Sequence, residues 1–174
     1  MSPALAYYRA CVGKWRGPMQ VSITDFGATR RAMGLLNAMS LWCLSRWPRW
    51  LGGIWMETSV TEVDPRQFVH TTLVRALGVP MMRGVETLTL NADGATFELS
   101  GRSRLTLAPW KKVSVSGPGR VNANTTDACY TLTWLGAPIT QTGTREGDHV
   151  TLRQQGEGFS SVQPLERQPL ERQH

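Results

Sequence analysis

The segment "MMRGVETLTLNADGATFELSG", residues 81–101, decides the fold class of this chain. Its first half alternates apolar and polar positions, with Glu86, Leu88 and Leu90 on one face, and "NADG" separates it from a second run, "ATFELSG". A period of two is the pattern of a half-buried strand, and Asp followed by Gly tolerates the positive φ of a hairpin turn. The segment therefore predicts two neighbouring antiparallel strands.

Similar segments occupy most of the rest of the chain. Before the hairpin they are "WRGPMQVSI" (15–23), "GIWMETSVTEV" (53–63) and "QFVHTTLVRAL" (67–77); after it they are "SRLTLAPWKKVSVSG" (103–117), "DACYTLTWLG" (127–136), "PITQTGTRE" (138–146) and "HVTLRQQG" (149–156). Short turn sequences such as "DPR", "GPGR" and "EGD" separate them. The pattern predicts a mainly β fold, an antiparallel up-and-down barrel of about eight to ten strands.

One segment has helical rather than strand spacing. In residues 29–47, "TRRAMGLLNAMSLWCLSRW", the residues Ala32, Leu36, Met39 and Cys43 recur at the period of a helix, and Thr29 is a suitable N-cap. We expect one helical insertion here, between the first two strands. It is either a plug or lid over a pocket, or, with its Trp and Arg residues, a helix on a membrane surface.

The length and composition suit one domain. A chain of 174 residues with 41% hydrophobic content can bury one core, which we place at residues 1–163. Residues 164–174, with "PLERQ" written twice, are expected to form a flexible tail. The start lacks the layout of a secretion signal, and the three separated cysteines form no disulfide or zinc pattern. A cytoplasmic location with buried, reduced cysteines is expected.

The charge pattern and the absence of familiar motifs exclude several classes of function. The net charge is +6, but the basic residues are scattered in "TRRA", "SRWPRW", "GRSRL" and "WKKV" rather than gathered in one run, so we expect no nucleic acid partner. The chain has no P-loop, no G-x-S-x-G elbow, no HExxH and no carboxylate cluster with metal spacing. Hydrolase, kinase and metalloenzyme functions are therefore disfavoured, and no metal is predicted.

The motif "VGKWRG", residues 12–17, opens the first strand. With Gly13 and Trp15 it resembles the Gly-x-Trp signature of the lipocalin and wider calycin superfamily. The resemblance implies a barrel of eight to ten strands in which Trp15 packs at the closed end against an arginine from the last strands. Arg153 and Arg167 are the candidates for that arginine.

The same residues, read as "GKWRG", are also similar to the Gly-x-Trp-x-Gly start of haem-binding barrels of the nitrobindin type. That resemblance keeps haem open as a cofactor, and it does not decide between His70 and His149 as the proximal ligand. No other cofactor is predicted.

The candidate site residues are polar side chains on otherwise apolar strand faces. Glu86 is either a solvent-facing residue of its strand or a buried acid whose pKa desolvation raises, and with His70 and Tyr130 it forms our candidate catalytic set. A larger set is expected to contact a ligand: Met19, Trp55, Phe68, Leu88, Trp134 and Gln154 in the barrel, and Leu36 and Met39 on the helix.

Two classes of function follow from such a lumen. The first is binding of a hydrophobic small molecule under the helical segment. The alternative is a cofactor-free enzyme of the isomerase or cyclase type, in which one of the three polar residues moves a proton or the cavity holds a reactive conformer. Peripheral association with a membrane surface is compatible with either, and the sequence does not indicate an oligomeric state.

Overall fold

The computed structural model describes residues 2–46, 53–105, 108–122, 124–132 and 138–169. Within these ranges the helices are α1 (Pro3–Cys11), α2 (Phe26–Met33) and α3 (Leu35–Ser45). The strands are β1 (Gly13–Pro18), β2 (Gln20–Ile23), β3 (Ile54–Asp64), β4 (Gln67–Ala76), β5 (Val79–Leu90), β6 (Thr96–Leu105), β7 (Ala108–Asn122), β8 (Thr125–Leu132), β9 (Pro138–Glu146), β10 (His149–Gly156) and β11 (Phe159–Arg167).

The strands form one closed antiparallel barrel. From β3 to β11 each strand pairs with the next along the chain, and β1 then pairs with both β3 and β11. Only Met19 separates β1 from β2, which continues along β11, so the two make one interrupted first strand and the barrel has ten. The predicted mainly β barrel of about eight to ten antiparallel strands is confirmed.

The barrel interior, here called the lumen, follows the predicted alternation. On β1 the residues Trp15 and Gly17 are buried while Arg16 and Pro18 are exposed, and on β5 Leu88 and Leu90 are buried. Strand side chains alternate between the two faces, so every second residue enters the lumen. Of the two alternatives left open for Glu86, the structure shows the inner face.

The first and last strands are joined by a contact between Trp15 and Arg167. The guanidinium of Arg167 lies 4.4 Å from the centre of the Trp15 ring, and Trp15 and Arg167 are also register partners across β1 and β11. Arg167 donates hydrogen bonds to the main-chain carbonyls of Ala10 and Val12 and to the carboxylate of Asp148. Of the two arginines that the resemblance offered, Arg167 occupies the position, and Arg153 is exposed on β10.

A helix that the sequence analysis did not predict, α1, closes this end of the barrel. Ser2 caps it by accepting a hydrogen bond from the amide of Leu5, and Pro3 occupies the first turn. At its other end, the indole of Trp15 donates a 2.7 Å hydrogen bond to the carbonyl of Cys11. Tyr8 of α1 packs against Phe68 inside the barrel, and the centres of the two rings are 5.4 Å apart. The plug of the barrel is therefore α1.

The predicted helix of residues 29–47 is two helices. Gly34 ends α2 with a φ of 83°, a conformation that favours glycine, and α3 begins at the next residue. Asp25, not Thr29, caps the start of α2, and Thr29 is buried within it. Because the break rotates one helix against the other, the predicted apolar stripe does not continue across Gly34. Both helices lie between β2 and β3, so the predicted position of the insertion, between the interrupted first strand and the next one, is roughly correct.

Two strand boundaries also need correction. The segment "GPGR" lies inside β7 rather than in a turn, and "SRL" belongs to β6 rather than to the following strand. A strand that was not predicted, β11, continues to Arg167, past the predicted start of the tail at residue 164. Pro164 in its middle hid it, because proline is unusual inside a sheet.

Of the three cysteines, all are free, but only Cys11 is buried; Cys43 and Cys129 are exposed. The prediction that all three are buried was therefore wrong for two of them. No helix in the described part of the chain is long and apolar enough to cross a bilayer.

The closure of the barrel by Arg167 gives a stability test. We expect Arg167→Ala to lower the free energy of unfolding by about 2–3 kcal/mol, because it removes a stacked guanidinium and leaves carbonyls of α1 without a donor. Arg153→Ala, on the neighbouring strand but exposed, should change it by no more than about 0.5 kcal/mol. Urea unfolding followed by tryptophan fluorescence measures both, and equal effects would contradict the role given to Arg167.

Candidate functional site

The lumen contains a cavity of about 170 Å³ between α1 and the middle of the barrel. Its described walls come from all sides of the barrel, and no residue of α2 or α3 is among them: Tyr7, Tyr8, Cys11, Trp15, Met19, Met56, Thr58, Val60, His70, Thr72, Val74, Met82, Glu86, Leu99, Thr126, Tyr130, Gln141, Val150, Leu152, Gln154, Gln163 and Leu165. The walls are mostly apolar, with two polar regions.

The first polar region is the pair formed by Glu86 and His70. They are register partners across β5 and β4, so their side chains lie side by side on the inner face. The Nε2 atom of His70 is buried and has no hydrogen-bond partner. Among the described residues no side chain or amide donates to Glu86. Across β6, Gly101 makes room for Glu86, because a Cβ there would lie 2.8 Å from its Cγ.

Burial changes the protonation of both members of the pair. Desolvation raises the pKa of Glu86 to about 7 and lowers the pKa of His70 to about 4, because in each case it disfavours the charged form. Both are half-buried by accessible area because they border the cavity, yet protein surrounds them. At neutral pH the histidine is neutral and the acid is close to half ionised.

The second polar region is a hydrogen-bonded group that we call the glutamine network, made of Tyr130, Gln141, Gln154, Ser161 and Gln163. The amide of Gln154 donates to the hydroxyl of Tyr130 over 2.7 Å and to the Oε1 of Gln141 over 2.9 Å. Its own Oε1 accepts from Ser161 and Gln163. Burial and the nearby charge of Glu86 hold the pKa of the Tyr130 hydroxyl well above its usual range.

The structure brings the predicted catalytic residues into one cavity. Glu86, His70 and Tyr130 all line it, and so do Met19 and Gln154 of the predicted ligand-binding set. Their roles remain predictions. The parity of each strand was enough to place these side chains inside, because the lumen face of a closed barrel is continuous.

Phe68 and Leu88, also predicted to contact a ligand, are packed in the core instead of lining the cavity. Both are almost completely buried, and Phe68 lies against Tyr8 of α1. Because α1 occupies this end of the lumen, these two side chains support its packing.

Three further ligand-binding predictions are wrong in position. Trp55 is 38% exposed on the outer face of β3, where Arg16 lies 5.2 Å from the ring centre. Leu36 and Met39 are exposed on α3, whose buried side is formed by Ala38 and Leu41. Because α3 is a separate helix that begins after Gly34, the predicted apolar stripe with Leu36 and Met39 faces away from the barrel. Trp134 lies outside the described residues, as do Trp47 and Trp50.

Several residues of the site were not predicted from the sequence. Gln141 alternates with Ile139 and Gly143 on β9, a signal like the one that identified Gln154. Ser161 and Gln163 share a face of β11 with Phe159 and Leu165, but that segment was assigned to no strand. Tyr7 and Tyr8 belong to α1, which the N-cap signature "SP" at residues 2 and 3 could have indicated.

The described lumen does not fit haem. His70 faces the cavity, but about 170 Å³ is close to the roughly 150 Å³ of an engineered cavity that holds benzene, far too small for a porphyrin. His149 is exposed on the outer side of β10. In the described part of the chain, no three His, Cys, Asp or Glu side chains are grouped to hold a metal ion.

The outer side of α3 exposes a group of apolar side chains that we call the α3 patch: Leu35, Leu36, Met39 and Trp42. Arg46 stacks on Trp42 with its guanidinium 4.5 Å from the ring centre. Two further basic residues, Arg30 and Arg31, are exposed on α2. An apolar surface beside basic residues is typical of an interaction site.

No protein-family model and no curated protein sequence matches the chain. Among solved structures it is similar to Rv2717c from M. tuberculosis, with a TM-score of 0.63 and 13% identity over 97% of this chain and 99% of that one. It is also similar to fatty-acid-binding protein 1 of Echinococcus granulosus (TM-score 0.54, 10% identity, 92% and 99% covered) and to the REP1-NXSQ fatty acid transporter (0.51, 10%, 92% and 97%). These likenesses show the fold, and they confirm the resemblance to lipocalin- and calycin-like barrels.

The Glu86 and His70 pair gives opposite pH dependences of stability. Glu86 loses its proton near pH 4.5 when unfolded but near pH 7 when folded, so raising the pH between these values lowers the free energy of unfolding, by up to about 3 kcal/mol. His70 is charged below pH 6.5 when unfolded but only below about pH 4 when folded, so raising the pH between these values increases it by a similar amount.

The two contributions largely cancel in the natural protein, and single variants should reveal them. The free energy of unfolding of Glu86→Gln, relative to that of the natural protein, should rise as the pH increases from 4.5 to 7. The relative free energy of unfolding of His70→Asn should fall as the pH increases from 4 to 6.5. Urea unfolding across this pH range measures both differences. Two pH-independent differences would show that neither group is desolvated.

Proposed function

We propose that this protein binds a small, largely apolar molecule in the lumen cavity. The observation that carries the proposal is the cavity itself, which is lined by apolar and aromatic side chains and by a few polar groups, two of them without hydrogen-bond partners. Apolar walls with a small number of placed polar groups are the usual composition of a small-molecule site. The similar barrels named as fatty-acid-binding proteins support binding in a barrel of this kind.

The size of the cavity limits the ligand. A volume of about 170 Å³ suits one ring or a short chain, since a cavity of roughly 150 Å³ takes up benzene. A long-chain fatty acid would need more of the lumen, but α1, Phe68 and Leu88 fill the end below the cavity. We therefore propose a ligand of about the size of a substituted benzene ring.

A cofactor-free enzyme in the same cavity is the second candidate, and Glu86 is the observation that favours it. An acid with a pKa near 7, beside a neutral histidine, is suited to give and accept a proton at neutral pH. An isomerase or cyclase would need its substrate within hydrogen-bond distance of this carboxyl group. Native mass spectrometry of protein purified from its own host would identify a retained compound, and incubation with that compound would show whether it is converted.

Peripheral association with an anionic membrane surface can accompany either function. The α3 patch could insert among the acyl chains while Arg30, Arg31 and Arg46 contact the head groups. The patch lies outside the barrel, so membrane binding would leave the cavity free.

The cavity can be tested by filling it. We expect ring-sized compounds such as toluene to raise the melting temperature of the natural protein, and palmitate to do so less. Leu152→Trp should abolish the shift, because Leu152 lines the cavity and an indole would occupy it. Arg153→Trp, the same substitution on the outer face of β10, is the matched control and should keep the shift.

Circular dichroism and urea unfolding must first show that Leu152→Trp is folded; Val74→Phe, at another wall of the cavity, is the substitute if it is not. An unchanged shift in the folded filling variant, or no shift with any compound in the natural protein, would overturn the proposed binding function.

Membrane binding through the α3 patch can be tested separately. Leu36→Glu combined with Met39→Glu should weaken binding to vesicles containing anionic phosphatidylglycerol by about tenfold or more, because two apolar anchors are lost and two negative charges added. Val63→Glu combined with Val85→Glu, two exposed positions on strands, is the control. Vesicle co-sedimentation measures this, and equal loss in both pairs would contradict a specific role of α3.

A further inference from the structure

The lumen has polar atoms that no described residue satisfies. The Oε1 atom of Gln163, a residue only 1% exposed, is buried without a partner. Glu86 accepts no hydrogen bond from the described residues, and His70 Nε2 has no partner. Buried polar atoms without partners are rare in native proteins, because each costs the free energy of its lost hydration. All three residues line the same cavity.

The donors of the glutamine network are already used. The amide of Gln154 donates to Tyr130 and Gln141, and the hydroxyl of Tyr130 donates to Gln141 over 3.2 Å. The amide of Gln163 donates to Ser161 and Gln154. The hydroxyls of Thr58 and Thr72 share one contact on the opposite wall. The network therefore has no donor left for the Oε1 atom of Gln163.

No lysine or arginine is among the described residues that line the cavity. On β9 lies Arg145, whose buried Nε has no partner. Its charge acts on Tyr7 and Cys11 of α1, and its register partner is Val150, at the α1 end of the barrel. A carboxylate ligand in the cavity would thus meet Glu86 without a cation beside it, and like charges in a dry site repel each other.

We propose that the ligand of this cavity is a small organic cation, a primary amine carried on an aromatic ring or a short apolar chain. The inference rests on the proposed binding function and specifies its ligand class. The ammonium group would pair with the carboxylate of Glu86 and donate its remaining hydrogens to His70 Nε2 or to the carbonyl oxygen of Gln163. An ammonium group has three donors and no acceptor, which matches a site with spare acceptors.

The aromatic walls favour the same class. Tyr7, Tyr8, Trp15 and Tyr130 border the cavity, and aromatic faces attract organic cations. Each ring also provides a surface against which an aromatic ligand can pack. The Trp15 ring already carries the guanidinium of Arg167 on one side.

The test compares compounds of one size that differ in charge: benzylamine, benzyl alcohol and benzoate. Isothermal titration calorimetry at pH 8, where Glu86 is ionised, should show benzylamine binding about tenfold more tightly than benzyl alcohol, because a charge-assisted hydrogen bond replaces a neutral one. Benzoate should bind least. Glu86→Gln should remove the preference for the amine, and Glu98→Gln, an exposed acid on the outer face of β6, should keep it.

A second readout follows the proton. At pH 7 the carboxyl group of Glu86 is close to half protonated, so binding of benzylamine should release about half a proton, measured in buffers of different ionisation enthalpy. His70 on β4, Tyr130 on β8 and Tyr8 on α1 face the same space, but the first is neutral and the pKa values of the two tyrosines are raised well above neutrality. Glu86→Gln should release none.

The outcomes separate this inference from the proposed function. If benzyl alcohol binds as tightly as benzylamine and Glu86→Gln changes neither affinity, the amine inference is overturned while the binding function stands. Preferred binding of benzoate would overturn it as well. If none of the three compounds binds, the proposed binding function fails together with the inference.

Discussion

The contact of Arg167 with Trp15 is the interaction on which the rest of the structure depends. It lies where β1 and β11 pair and close the sheet, which would otherwise have two open edges, each with unpaired amide and carbonyl groups. The same guanidinium donates hydrogen bonds to the carbonyls of Ala10 and Val12 at the end of α1. One side chain therefore lies at the closure of the barrel and also holds its plug. Because Arg167 is the last residue of β11, its contact with Trp15 requires β11 to be ordered along its whole length.

Because α1 plugs one end of the closed barrel, the cavity is small, and its polar groups are distributed unevenly around its walls. α1 and the aromatic side chains under it fill the lower lumen, which leaves about 170 Å³ above them. On the side of β8 to β11 the polar groups satisfy one another except at Gln163 Oε1, whereas on the side of β4 and β5 Glu86 and His70 form no such network. A protein keeps such a pair at a cost in stability, and perturbed, unpartnered titratable groups in a cavity are typical of functional sites.

Periodicity was a reliable guide where elements are regular. The hairpin of residues 81–101 and the alternation from Trp15 to Ile23 were readable, because a strand side chain can only point in or out. The same parity placed Glu86, His70, Tyr130 and Gln154 among apolar neighbours but left open whether Glu86 faces inward. It failed where a local signal was ambiguous. Gly34 split the helical segment, Pro164 hid β11, and nine residues of α1 were passed over although Ser2 and Pro3 begin it.

The sequence by itself determined the class of fold and the strand parity of Glu86, His70, Tyr130 and Gln154, and its Gly-x-Trp resemblance implied the closure at Trp15. Fold class and parity depend on a spacing of two residues along single strands, which is local information. Only the tertiary structure decided that α1 is the plug, that Arg167 rather than Arg153 meets Trp15, that Leu36, Met39 and Trp55 face outward, and that Gln163 lacks a partner. Those facts depend on which distant segments become neighbours when the barrel closes, and hydrogen-bond satisfaction exists only between such neighbours.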